Sequence, residues 1–148
     1  MNLAELFTRG GVWYNIPGET SADFIQTMAT SIRLPAGLAG DELAQACLRR
    51  EASSSTAMVR GLAFPHPGIP MAPAADAAFI AIAYPRFPVY WRAPDGQPVR
   101  AVFLIVSASR TDHLAALSGV ARLCGNDAFY SALVREAPLK DLLPLMTG

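Results

Sequence analysis

The sequence has no excess of charge of either sign. Its 148 residues include 12 basic and 12 acidic side chains, so the formal net charge is zero. A protein that binds nucleic acid or an anionic membrane needs a clustered positive field, whereas the arginines of this chain are scattered along it. The composition therefore argues against partners of that kind, and we expect no nucleic acid to bind.

The sequence is also poor in cysteine and has no long apolar run. Cys47 and Cys124 lack a metal-ligand spacing and fall in helical patterns, which favours buried, reduced thiols as in a cytosolic protein. No stretch approaches the roughly 18 uninterrupted apolar residues of a membrane span, and the acidic Glu5 stands too early for a signal peptide. We therefore expect a cytoplasmic protein without direct membrane insertion.

The apolar patterning predicts an α/β fold made of a single domain, residues 1–148. The stretches 77–84 and 99–107 are apolar on both faces, as in central strands covered by helices. Shorter strands are predicted at 11–16, at 62–64 and, as an edge strand, at 89–91. Helices are predicted between the strands: one capped by Thr20 or Ser21, one from Asp41 to about Glu51, one from Asp112 to about Leu123 capped by Thr111, one from Asp127, and one from near Leu139. This alternation is typical of a sandwich in which helices flank both faces of a mixed β-sheet.

Histidine is scarce, and one of the two histidines has an unusual setting. His66 ends a short apolar run and lies between Pro65 and Pro67. A residue that precedes proline is held in an extended conformation, so the imidazole is presented on a stiff backbone. Arg50 and a run of hydroxyl side chains at 53–56 lie upstream, and together these groups suggest phosphate chemistry. Without further information, a lone histidine after an apolar run is more often structural, and Arg50 also fits a solvated arginine at a helix C-terminus.

Three spaced motifs run through the chain. They are Arg50-Glu51-x4-Thr56-x4-Gly61-x-Ala63-x-Pro65-His66, then Asp112-His113-Leu114-x2-Leu117-x2-Val120-Ala121, and more weakly Asp95-Gly96-Gln97-Pro98-Val99. Together they resemble the signature of the fructose–mannitol type enzyme IIA domains of the bacterial phosphotransferase system, a group that includes the nitrogen-regulatory IIA proteins. The resemblance covers nearly the whole chain and implies the enzyme IIA mannitol-like fold.

The resemblance implies a role for each candidate site residue. His66 would accept a phosphoryl group from the phosphocarrier protein HPr and pass it on, because a neutral imidazole is a good nucleophile near pH 7. Arg50 would hold the phosphoryl oxygens with its planar fork. Thr56, with Ser55, would support through hydroxyl hydrogen bonds. His113, near the start of a helix, would orient or hydrogen-bond and stay neutral because of the helix dipole. No metal or organic cofactor is implied.

The resemblance leaves two functions open. One is a phosphoryl carrier for sugar uptake or for nitrogen and metabolic regulation, with an HPr-like donor and a IIB domain as partners. The other is a non-catalytic regulatory module that binds transporters or sensor kinases through the same face. A small-molecule-binding domain has no motif in its favour.

The chain also departs from the family pattern next to His66. Val59 stands where the family usually has glycine, and a β-branched residue does not tolerate a positive φ. Pro67 replaces a glycine whose N–H could reach a phosphate. We expect a backbone path free of positive φ at Val59, and we expect Arg60 to add a cation close to His66.

Overall fold

The structure, a computed structural model, describes residues 2–146 and builds them around one four-stranded sheet. The strands are β1 (Val12–Ile16), β2 (Leu62–Ala63), β3 (Phe79–Pro85) and β4 (Ala101–Val106). The helices are α1 (Leu3–Gly10), α2 (Ser21–Ser31), α3 (Gly40–Ser53), α4 (Arg110–Cys124), α5 (Asp127–Val134) and α6 (Leu139–Leu142), with short 3-10 segments at Ala75–Ala77 and Leu143–Met146.

The sheet is mixed, with strand order β1-β3-β4-β2. The central strands β3 and β4 pair antiparallel, while β1 runs parallel to β3 and β2 runs parallel to β4. Every residue of β3 and β4 is buried. Since successive side chains of a strand point to opposite faces, both faces of the sheet are covered. The predicted mixed sheet with helices on both faces is confirmed.

The topology brings the two histidines to the same end of the strands. The parallel strands β2 and β4 have their C-terminal ends there, and the backbone N–H of Ile105 in β4 donates to the carbonyl of Pro65, 3.1 Å away. His66 is the next residue after Pro65. Beyond β4 the chain turns into α4, which carries His113 in its first turn. Residues far apart in sequence therefore converge because two parallel strands end together.

Three helix starts show how side-chain caps set the boundaries. Thr20 caps α2 as predicted, its hydroxyl accepting from the N–H of Asp23. The predicted cap of α4 at Thr111 is wrong, because the Ser109 hydroxyl accepts from the N–H of Asp112 and the helix already begins at Arg110. Helix α1 was not predicted, although Asn2 caps it and the chain turns at Gly11, which has a φ of 78°.

The predicted edge strand at 89–91 is also wrong. This segment makes only isolated bridges, Val89 with Val99 and Tyr90 with Thr20. Pro88, Pro94 and Pro98 interrupt the surrounding chain and remove the backbone donors that a ladder needs. Strand β2 is likewise shorter than expected, since regular pairing ends at Ala63.

The remaining expectations about buried groups agree with the structure. Cys47 and Cys124 are free and buried, and burial raises the pKa of each thiol to about 12. Both thiols are therefore protonated at neutral pH. Among residues 2–146, none of the helices combines the length and the apolar character that a membrane crossing requires.

A close approach between α1 and β3 generates a test of this packing. A Cβ atom on Gly10 would lie 2.0 Å from the carbonyl oxygen of Ile80, which is backbone and cannot swing away. We expect Gly10→Ala to lower the free energy of unfolding in urea by about 1–3 kcal/mol or more. Gly125→Ala is the matched control, because its Cβ would approach no atom closer than 3.4 Å. Equal unfolding midpoints for the two variants would contradict the packing.

Candidate active site

The two histidines form the centre of the site. Their ring centroids lie 4.6 Å apart, with the ring planes inclined at 45°. His66 follows β2 and His113 belongs to the first turn of α4, so two rigid elements fix the pair. The expectation that His66, Arg50 and His113 share one pocket holds for the two rings, which lie together, but His113 lines a different cavity from Arg50 and His66.

A hydrogen bond to the backbone decides which nitrogen of His66 carries the proton. Nδ1 lies 2.8 Å from the carbonyl oxygen of Phe64. A carbonyl only accepts, so Nδ1 carries the proton and Nε2 keeps its lone pair. The His66 side chain is only 7% exposed, yet Nε2 has no hydrogen-bond partner among residues 2–146 and is not sealed from solvent. The ring therefore presents an unprotonated nitrogen to an incoming group.

Two contacts of Phe64 hold its carbonyl in place. The Phe64 ring packs edge-to-face on Phe103 of β4, with centroids 5.5 Å apart. Its N–H donates to the carbonyl of Thr56 at 3.0 Å. Pro65 and Pro67 restrict the backbone on either side of His66. The Phe64 carbonyl and the two prolines therefore fix the orientation of the imidazole.

The pKa of each imidazole is lowered, which favours the neutral form. Burial lowers the pKa of His66, and the positive charge of Arg50 adds to this, while the hydrogen bond to Phe64 and the charge of Glu51 oppose it. Burial also lowers the pKa of His113, followed by His66, Arg50 and Arg110. A neutral His113 was expected from the helix dipole, and the structure gives burial as the larger cause.

Arg50 supplies a positive charge that no carboxylate neutralises. It lies in the last turn of α3, half-buried, and its Nη1 donates to the carbonyl and the hydroxyl of Ser54 at 2.9 and 3.3 Å. It makes no ion pair within the described residues. Arg50 and His66 line the same cavity of about 400 Å³. A cation of this kind beside a nucleophile suits a phosphoryl group.

Thr56 lies beside His66, but its hydroxyl already has a partner. Its Oγ1 donates to Oε1 of Glu51 at 2.6 Å, and its backbone N–H donates to Oε2 at 2.7 Å. The Ser55 hydroxyl accepts from the N–H of Ala57. In this arrangement Thr56 supports the site through Glu51 and does not direct a hydroxyl hydrogen towards His66.

Sequence reasoning missed the role of Glu51. Besides both bonds to Thr56, its carboxylate accepts from Nε1 of Trp91 at 3.0 Å. One carboxylate therefore ties the end of α3 to the loop before β2 and to the segment after β3. The family signature includes Glu51, but nothing in the sequence pairs it with Trp91.

Arg110 is the second residue that sequence reasoning missed. It begins α4 and, with His113, lines a small cavity of about 100 Å³ that also contacts Pro67. The backbone N–H groups of Arg110 and Thr111 have no acceptor within the described residues, as is usual at a helix start. Pro67 lacks an N–H, whereas Arg110 and this helix start offer donors in the cavity that His113 lines.

The expectation for Arg60 is half wrong. Val59 has no positive φ, as predicted, but Arg60 does, at 66°. Its backbone N–H donates to Asp95 at 2.8 Å, and the left-handed turn directs its side chain onto Tyr130, with the guanidinium carbon 3.6 Å from the ring centroid. Arg60 lies outside the cavity that His66 lines.

Exposed apolar side chains surround the histidines. Met58, Ile69 and Leu114 are 41%, 61% and 61% exposed and line the cavities next to His66 and His113. We call these three residues the apolar rim. Large apolar side chains gathered around a polar centre mark a surface that another protein covers.

The tautomer of His66 can be tested by nitrogen-15 NMR during a pH titration. We expect both histidines to titrate below about 6.5, the usual pKa of histidine, with the neutral His66 protonated on Nδ1. Since both pKa values are lower in the folded state, the stability these groups confer is present above pH ~6.5 and is lost as pH falls through the folded pKa values. A neutral His66 protonated on Nε2 would contradict the hydrogen bond between Nδ1 and the Phe64 carbonyl.

The network around Glu51 generates a second test. Glu51→Gln replaces one accepting oxygen by an NH2 group, so at least one buried donor loses its acceptor. We expect the free energy of unfolding to fall by about 1.5–3 kcal/mol, measured in urea by tryptophan fluorescence. Glu42→Gln, an exposed position on the same helix, is the control and should change stability by less than about 0.5 kcal/mol. A Glu51→Gln protein as stable as wild type would refute the network.

Comparison with known proteins agrees with this geometry. Residues 5–146 match the family described as "Phosphoenolpyruvate-dependent sugar phosphotransferase system, EIIA 2". The chain is 34% identical over 149 residues to the fructose-specific EIIABC component of the phosphotransferase system of Bacillus subtilis (strain 168). That alignment covers 97% of this chain and only 21% of the relative, so the chain spans about a fifth of its length.

Solved structures share the fold. The nitrogen regulatory protein IIA-Ntr from Neisseria meningitidis superposes with a TM-score of 0.78 at 22% identity, covering 97% of this chain and 98% of that one. IIA mannitol from Escherichia coli gives a TM-score of 0.68 at 15% identity, covering 93% and 96%. The family match, the relative and these folds agree with the signature around His66, and the chain therefore belongs to the enzyme IIA family of fructose and mannitol type, the phosphoryl carriers of the phosphotransferase system.

Proposed function

We propose that this chain accepts a phosphoryl group on Nε2 of His66 from an HPr-like phosphocarrier in the cytoplasm. It then passes the group to a IIB-type domain or transporter component. Residues 1–148 would act as one enzyme IIA domain. The observation that carries the proposal is the hydrogen bond from Nδ1 of His66 to the Phe64 carbonyl, which leaves Nε2 unprotonated and without a hydrogen-bond partner among the described residues.

The transfer needs no general base. The lone pair of Nε2 forms the new N–P bond while the N–P bond of the donor's phosphohistidine breaks, and the donor imidazole keeps that electron pair. The Nδ1 proton of His66 stays in place and continues to donate to Phe64, whose carbonyl stabilises the positive charge that the ring acquires. In such transfers the protein mainly positions the groups and stabilises charge on the equatorial oxygens.

The surrounding residues divide this work. Arg50 neutralises the phosphoryl oxygens on one side of the ring, since its charge already reaches both histidines. Arg110 and the first N–H groups of α4 act on the other side and replace the donor that Pro67 cannot supply. His113 packs against His66 in its neutral form and therefore adds no second positive charge beside the phosphorylated ring. Glu51 and Thr56 position the loop that precedes β2.

The apolar rim gives the docking surface for the phosphoryl donor and acceptor. Met58, Ile69 and Leu114 surround the histidines and expose little charge, so a partner would meet them with an apolar patch of its own. The Escherichia coli mannitol IIA protein has been solved in complex with its phosphorylated IIB domain. We expect a comparable complex here, formed through the apolar rim.

Phosphotransfer from a phosphorylated HPr of the same host tests the proposal. We expect the wild-type chain to gain one acid-labile phosphate and His66→Ala to gain none. Arg50→Ala should slow transfer by roughly a hundred- to thousandfold, because a donor to the transition-state charge is lost. Arg49→Ala, an exposed neighbouring arginine, is the control and should transfer at nearly the wild-type rate.

The same assay distinguishes the carrier from a regulatory binding module. If the wild-type chain takes no label from an HPr that labels a related IIA protein in parallel, the carrier proposal is refuted. The unphosphorylated chain would then be tested for capture of transporters or sensor kinases through the apolar rim.

A further inference from the structure

A second cavity lies at the opposite end of the strands from the histidines. Arg60 precedes β2 and Arg100 precedes β4, while Arg86 follows β3, which runs antiparallel to β4. The three arginines therefore meet at the N-terminal ends of β2 and β4. They line one cavity of about 270 Å³. We propose that this cavity, here called the arginine cavity, binds a small polyanion, either a phosphate compound or a polycarboxylate, at a site separate from the phosphotransfer centre.

The positive charge of the arginine cavity is only partly compensated by carboxylates of the described residues. None of its guanidinium groups forms an ion pair with a carboxylate anywhere in residues 2–146. Glu136 is the one acidic residue among the described side chains that line the cavity. Asp95 is also close, and its carboxylate accepts from the backbone N–H groups of Arg60 and Gln97, which lowers its pKa and keeps it charged. Three arginines against Glu136 and Asp95 still leave an excess of one positive charge for a ligand to compensate.

Uncharged groups hold two of the arginines in place. The Arg60 guanidinium lies over the Tyr130 ring, and the Tyr130 hydroxyl donates to the Arg60 carbonyl at 2.7 Å. Nε of Arg86 donates to Oδ1 of Asn15 at 2.9 Å. These contacts restrict the side chains without cancelling their charge, so less conformational freedom is lost when a ligand binds.

Backbone strain is concentrated around the same cavity. Within the described chain, the non-glycine residues with a left-handed backbone are Asn15, Arg60 and Glu136, with φ of 58°, 66° and 55°. Asn15 holds Arg86, while Arg60 and Glu136 line the cavity themselves. Strained residues of this kind cluster at functional sites. The histidine centre has none of them.

The size and chemistry of the cavity define the class of ligand. Its volume lies just below the range of about 300–1,000 Å³ that is typical of small-molecule sites, which limits the ligand to a small compound. The planar forks of arginine match the paired oxygens of phosphate and carboxylate groups. Three forks from three segments favour a ligand with at least two negative charges.

Binding of inorganic pyrophosphate and of citrate, measured separately by calorimetry at low ionic strength, tests the proposal. We expect at least one of the two to bind wild-type protein saturably at one site, and the better binder identifies the phosphate or the carboxylate source. Arg100→Gln and Arg60→Gln should each weaken that binding about tenfold or more, because each removes a charged donor. Arg100 is the cleaner position, since its side chain makes no hydrogen bond within the described residues.

Two control variants separate this site from other sources of binding. Arg33→Gln removes an exposed arginine elsewhere and should leave the affinity unchanged. Arg50→Gln should also retain the binding, which distinguishes the arginine cavity from the phosphotransfer centre and makes the result independent of the proposed function. The proposal is overturned if neither anion binds saturably, if Arg100→Gln binds as tightly as wild type, or if Arg50→Gln abolishes the binding.

Discussion

The antiparallel pairing of β3 with β4 is the constraint on which the rest of the structure depends. These two strands are buried along their whole length, and each outer strand is placed by running parallel to one of them. Helix α1 approaches the backbone of β3 at Gly10, where no side chain would fit. The end of β4 then fixes where α4 begins, and with it the position of His113. The active site is thus a consequence of how the central pair is flanked.

The sheet separates two different electrostatic environments. At the end of the sheet where β2 and β4 stop, the positive charges of Arg50 and Arg110 reach the histidines and contribute to their lowered pKa values. At the opposite end, where β2 and β4 begin, three arginines share a cavity with Glu136. Strands β2 and β4 both connect the two environments along the chain: Gly61 precedes β2 and His66 follows it, while Arg100 precedes β4 and Arg110 follows it.

The sequence predicted the elements that depend on local patterning. The central strands were identified because they are apolar on both faces, and α2 was identified because Thr20 is a strong capping residue followed by apolar side chains at helical spacing. The family signature predicted that both histidines belong to one site. Helix α1 was not predicted because two turns are too short to show a clear helical period. The strand predicted at 89–91 forms only isolated bridges, since prolines on both sides of it remove backbone donors.

The details that could not be predicted depend on contacts between distant segments. Arg60 points away from His66 because its N–H bonds to Asp95 and its side chain meets Tyr130. Glu51 supports the site because Trp91 reaches it from another part of the chain. The proton of His66 lies on Nδ1 because the Phe64 carbonyl turns towards the ring. No local pattern records these pairings, since each depends on the tertiary fold.

Strand β2 has a further consequence for how partners can recognise this protein. It is an outer strand of the sheet, yet its free side is occupied by the chain itself, through hydrogen bonds from Met58 N–H to the Leu62 carbonyl and from Phe64 N–H to the Thr56 carbonyl. Pro65 and Pro67 offer no N–H beyond it. A partner therefore cannot extend the sheet at this edge and must recognise side chains instead. Recognition through side chains places no demand on the partner's own secondary structure, so a single face can serve proteins of unrelated fold in turn.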